Sequence, residues 1–111
     1  MDYLKYFKND KYKLGEHDCW TFIQDIFKHE QGLILPDVPV FDETNESYLK
    51  SNIKHKQLDK AEAGCLVFVK TKDLNHVGYA ISEKEYMHKT TKIGVVITPI
   101  PKTAEFFKIF N

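Results

Sequence analysis

EHDCWTFIQDIFKHEQG, Glu16 to Gly32, is the stretch on which the reading of this 111-residue chain turns. Its apolar residues Cys19, Phe22, Ile23, Ile26 and Phe27 recur at intervals of three and four, while Gln24, Asp25 and Lys28 fall outside the stripe. That spacing predicts a helix from about Asp18 to Gln31 with one face buried. Asp18 is suited to cap its start and Gly32 to end it. One of only two cysteines in the chain therefore stands in the first turn of the helix. There the backbone N–H groups are free and the positive end of the helix dipole favours thiolate over thiol. The same N–H groups suit the oxyanion of a tetrahedral intermediate. A cysteine used as a small core residue would occupy the same place, and the helix alone does not separate the two.

Outward from this helix the period of the sequence changes. Upstream, Tyr3, Leu4, Tyr6 and Phe7 have helical spacing and predict a short first helix, joined to the second by the polar stretch Lys8 to Gly15. Downstream, LILPDVPVFDETN carries two prolines and reads as an ordered loop, and ESYLKSNI as a short helical turn. From Ala63 onward the runs CLVFVK, HVGYAIS, YMHK, IGVVITPI and FFKIF are short, β-branched or aromatic, and separated by polar or glycine breaks. SEKE between two of them reads as a hairpin loop. Helices first and strands after predict an α+β domain spanning residues 1–111, with N-terminal helices on a mostly antiparallel sheet of about five strands.

Composition excludes several functions. The formal net charge is zero, so no overall field draws the chain to nucleic acid or to an anionic membrane. All sixteen basic residues are lysine, which removes the bidentate guanidinium contacts that read phosphates and guanine edges. No apolar run approaches the length that spans a bilayer. MDYLKYFKND lacks the apolar centre of a signal peptide, so the chain is expected to be made in the cytoplasm and not exported by the usual route. Cys19 and Cys65 are expected to remain reduced there. No glycine-rich phosphate loop is present, and no C-x-x-C or H-E-x-x-H pair anchors a zinc site, so neither a cofactor nor a metal is expected.

Two histidines are candidates for the chemistry of a thiol. In HVGYAI, alternation sets His76, Gly78 and Ala80 on one face and Val77, Tyr79 and Ile81 on the other. The small neighbours of His76 leave room for another element, and the helix bearing Cys19 is expected to fill it. Histidine is the usual base for a cysteine nucleophile. His88 follows twelve residues later, where a hairpin would lay it beside His76 as the group that fixes the tautomer of the base. An edge-strand histidine facing solvent is the alternative for each. His17, His29 and His55 are assigned no role.

The ordered pieces DCWTFIQDIF, AGCLVFV, HVGYAI and YMHKTTKIGVVITPI resemble the NlpC family of bacterial cell-wall cysteine peptidases, compact relatives of papain. They follow that family's order of Asp-Cys helix, Gly-Asp strand, His-Val-Gly strand and a last pair of strands with a histidine. The likeness extends over about residues 12 to 100. It implies a Cys-His-His triad with Cys19 as nucleophile, His76 as base and His88 as its orienting partner. It implies hydrolysis of amide bonds in peptidoglycan stem peptides through a thioester, with Asp18, Trp20 and Tyr12 near the substrate. An exposed Cys19 sulfur is expected for that role. The sequence departs from the family at Trp20 and Thr21, where small residues are usual, and at Cys65, where aspartate is usual. The DCW form resembles the phage-tail-associated branch, which implies that a phage tail or secretion machinery would deliver the chain to the wall. An acyltransferase or deamidase on the same fold, and an inactive tail-assembly or binding module, remain alternatives.

Overall fold

The computed structural model describes residues 3–6, 19–36, 53–70, 75–90 and 93–110. The apolar stripe forms one α-helix, α1, Cys19–Gln31, which buries Cys19, Trp20, Phe22, Ile23, Ile26 and Phe27. Gly32 ends it with φ 68°, a left-handed backbone that glycine adopts without Cβ strain. Leu33 N–H then folds back onto the Phe27 carbonyl at 3.1 Å. The expected first helix is a single 3₁₀ turn, Tyr3–Tyr6. It is tied to the far end of α1 through Glu30, which takes the Tyr6 hydroxyl at 2.5 Å and the Lys5 ammonium at 2.9 Å. The predicted N-terminal helices are thus one α-helix and one turn. The predicted cap Asp18 and most of the loop and turn predicted between Leu33 and Ile53 lie outside the described residues.

The sheet has six strands where about five were expected: β1 (His55–Leu58), β2 (Leu66–Lys70), β3 (Asn75–Ala80), β4 (Glu85–Thr90), β5 (Gly94–Pro99) and β6 (Glu105–Ile109). Their order is β1-β6-β2-β3-β4-β5, and every pairing is antiparallel. Strands β2 to β5 form a meander, and β6 returns to the free side of β2. The strand missed by sequence is β1. HKQL lacks apolar alternation because it is a half-exposed edge strand, and its partner in β6 begins with Ile109 against His55. Between β3 and β4 the predicted hairpin is present: the Ser82 hydroxyl accepts the Lys84 and Glu85 N–H groups at 3.2 Å.

Alternation gives the sheet two different faces. Leu66, Phe68, Val77, Tyr79, Met87 and Phe107 join the buried residues of α1 in the larger apolar cluster. Cys65, Val67, Val69, Ala80 and Tyr86 form a second cluster with Ala61. The C-terminal half of α1 is fastened to β3: the Phe27 ring meets Tyr79 edge-on at 5.2 Å, and the Gln31 amide donates to the Tyr79 hydroxyl at 3.0 Å and the Gly64 carbonyl at 2.8 Å. No helix among the described residues is long and apolar enough to cross a membrane.

The expected packing of α1 beside His76 is not observed. The room beside His76 and Gly78 is not taken by α1, which packs on the Val77 and Tyr79 side. It is taken by the ring of Tyr86, because a Cβ on Gly78 would overlap that ring and press on the Met87 carbonyl. Gly78→Ala therefore has to displace an aromatic ring or a strand. A loss of about 1–3 kcal/mol, the cost of overpacking a filled interior, is expected in urea unfolding.

Candidate active site

Cys19 is the first residue of α1, in no disulfide and 3% exposed. The exposed sulfur expected for a nucleophile is therefore not observed: the first turn is covered, and Cys19 belongs to the apolar cluster beneath it. Trp20 is buried as well. Its indole N–H donates to the Pro36 carbonyl at 2.9 Å, and Gln24 donates to the Leu35 carbonyl at 3.1 Å. The chain after α1 is thereby strapped back along the helix. Trp20 packs beneath the surface, and its bulk is accommodated by that strap.

His76 and His88 do come together. The pairs Tyr79–Met87 and Ala80–Tyr86 set the register of β3 and β4. Continued along the strands, it places His88 across from Gly78 and diagonal to His76, a spacing that two long side chains can bridge. His76 Nε2 and His88 Nδ1 are 2.7 Å apart, with the rings nearly perpendicular at 78°. On its other side His88 Nε2 lies 2.8 Å from Thr98 Oγ1 on β5. Tyr86 lies flat on the His88 ring, 4.1 Å between centres and 4° from parallel. Gly78 permits this stack by leaving room for the tyrosine.

The chain of contacts is thus His76, His88, Thr98, with Tyr86 as a shelf. Sequence reading found the two histidines from their twelve-residue separation across the hairpin. It missed Tyr86 and Thr98. Tyr86 has a signal, two residues before His88 and so on the same face. Thr98 has none, because its place depends on the β4–β5 register that sets it opposite Tyr86.

Burial governs the charge of this pair. It lowers the affinity of His76 for a proton. His88 is pushed from 6.5 to about 4, first by burial and then by the proximity of His76. Two protonated imidazoles would also face each other donor to donor and lose their hydrogen bond. The pair is therefore held neutral at pH 7, a condition for a base. Cys65, on the same sheet face as Tyr86, has its thiol pushed up by burial and is not activated. Tyr12, Asp18 and His17 lie outside the described residues. Among the described residues no three His, Cys, Asp or Glu side chains converge as a metal site would require.

The same burial makes the fold sensitive to acid. An unfolded chain takes up the His88 proton near pH 6.5, whereas the folded chain resists until about 4. Between these values the unfolded state binds more protons, so stability is fully present above pH 6.5 and declines as pH falls toward 4. Urea midpoints measured across this window are expected to fall with pH, and less steeply in His88→Asn.

Comparison with known proteins yields one family and a small set of relatives. The sequence model of the NlpC/P60 family matches residues 9–106. The murein DD-endopeptidase MepS/murein LD-carboxypeptidase of Escherichia coli K12 is 30% identical over 104 residues, which is 88% of this chain and 52% of that protein. The same protein from strains O6:H1 and O157:H7 matches to the same extent. The chain spans about half the length of these curated relatives.

Proposed function

Because the chain belongs to the NlpC/P60 family of cysteine peptidases, we propose that it is a thiol hydrolase cleaving amide bonds in peptidoglycan stem peptides. The observation that carries this reading is the His76–His88 hydrogen bond. It engages Nε2 of His76, while Nδ1 of the same ring makes no hydrogen bond among the described residues. A neutral imidazole held by one nitrogen and unoccupied at the other is what a base for a thiol requires. MepS is named as a murein endopeptidase, and its similarity over most of this chain supports a peptide of the cell wall as the substrate class.

In this mechanism Cys19 is the nucleophile, His76 the base and His88 the group that orients it. His76 Nδ1 takes the thiol proton, and the sulfur attacks the scissile carbonyl. The backbone N–H groups of the first turn of α1 are assigned the oxyanion. The tetrahedral intermediate collapses as His76 returns the proton to the leaving amine, leaving a thioester on Cys19. Water, deprotonated by His76, then displaces the thiolate and releases the acyl part as a carboxylic acid. The imidazole pair shares the Tyr86 side of the sheet while α1 covers the other, so the reading requires thiol and His76 to meet beyond the edge of the apolar layer. Asp18 and Tyr12 enter as substrate contacts through the family resemblance alone. Delivery to the wall by a phage tail or secretion machinery rests on the same resemblance.

Two measurements test the proposal. Cys19→Ala is expected to cut release of peptide from purified peptidoglycan by more than about a thousandfold. Its stability should fall by about 1 kcal/mol, the scale of a small buried truncation. The pH dependence of iodoacetamide labelling at Cys19 is the direct test of the pair. Labelling well below the ordinary thiol value of about 8.5, and slowed by His76→Ala, is the expected result. A thiol that reacts only on unfolding would reduce Cys19 to a core residue. Release of an amide or ester in place of the free acid would make the same thioester that of an acyltransferase.

A further inference from the structure

We infer that Thr98 is a positioning residue, the hydroxyl that sets the ring protons of both histidines and so turns the free nitrogen of His76 into a base. This rests on the thiol-hydrolase reading for its consequence, but its first observable does not.

Each neutral imidazole carries one N–H and one acceptor nitrogen, so the contacts His76 Nε2–His88 Nδ1 and His88 Nε2–Thr98 Oγ1 can run in only two senses. In one, Thr98 donates to His88 Nε2, His88 Nδ1–H donates to His76 Nε2, and the His76 proton is left on Nδ1. That ring cannot take a proton from a thiol through Nδ1. In the other, His76 Nε2–H donates to His88 Nδ1, His88 Nε2–H donates to Thr98 Oγ1, and His76 Nδ1 is an open acceptor. When His76 is protonated during turnover, its Nε2–H still needs His88 Nδ1 as acceptor, so the second sense serves both states. His88 must then keep its proton on Nε2, and a partner must accept it there.

Thr98 Oγ1 is that partner at 2.8 Å. His88 is buried and stacked against Tyr86, so an Nε2–H without an acceptor would be costly. The ring cannot turn to seek another, since Tyr86 lies flat against it and Gly78 fixes where Tyr86 sits. Thr98 is itself held by its strand: it pairs with Tyr86 across β4–β5, while His88 pairs with Val96. Because the hydroxyl comes from the neighbouring position, it reaches the ring edge diagonally, through an oxygen carried on Cβ. Val96, directly across from His88, has no such atom.

Nitrogen NMR of the wild-type histidine rings at neutral pH reads this without any substrate. Both His76 and His88 are expected as Nε2–H tautomers; a His88 proton on Nδ1 overturns the assignment. Thr98→Val keeps the shape and the strand preference and removes the acceptor. It is expected to redistribute the His88 proton between its nitrogens and to lower kcat on a synthetic stem tetrapeptide about tenfold with KM unchanged, as loss of one such hydrogen bond implies. Thr98→Ser is expected to restore both the tautomer and the rate. Unchanged ring signals in Thr98→Val, or a Thr98→Ser variant as impaired as Thr98→Val, would show that Thr98 acts only by packing. If the wild-type protein has the expected tautomers but releases nothing from stem peptides, the proposed reaction fails while the role of Thr98 in setting the ring protons stands.

Discussion

The alternation of β3 is the constraint on which the rest of this structure depends. Val77 and Tyr79 point into the cluster beneath α1, and Gly78 and Ala80 point the opposite way. Tyr79 anchors the helix through Phe27 and Gln31. Gly78, one residue earlier, gives up its side chain so that Tyr86 can lie where a Cβ would be. One strand thus binds the helix with one face and shapes the imidazole site with the other. A slip of one residue in its register would exchange the two faces and destroy both at once.

The imidazole pair illustrates how a sheet makes a base. Neither histidine is modified by a nearby charge of opposite sign; both are kept neutral by removal from water, and each is satisfied by the other. Such a pair is coupled, because protonating one ring penalises the other and breaks their shared hydrogen bond. The aromatic shelf of Tyr86 and the hydroxyl of Thr98 restrict how the second ring is oriented. Positional precision on the nitrogen of His76 is therefore supplied by three strands, β3, β4 and β5.

Legibility in the sequence followed the range of the interactions. The helix from Cys19 to Gln31 and its glycine stop were readable because their periodicity and turn chemistry are local. The four strands of the meander were readable for the same reason, as was the hairpin that sets His76 beside His88. β1 was not, since HKQL is defined by pairing with a strand about fifty residues away and presents little apolar alternation. The burial of Cys19 was not readable either. A thiol at a helix start has the same sequence whether the turn is open or covered, and here the strap through Trp20 and Pro36 belongs to a covered helix.

By itself, then, the sequence determined the helix α1, five of the six strands, the β3–β4 hairpin and the identity of a thiol and two imidazoles, because each of these depends on residues within one turn or one strand. Tertiary structure alone decided which face of the sheet carries the imidazoles and that the space beside Gly78 belongs to Tyr86. It also decided that Thr98 closes the chain of contacts. Those outcomes depend on register between strands, which is set by the burial of side chains from the whole sheet at once and leaves no mark in any single segment.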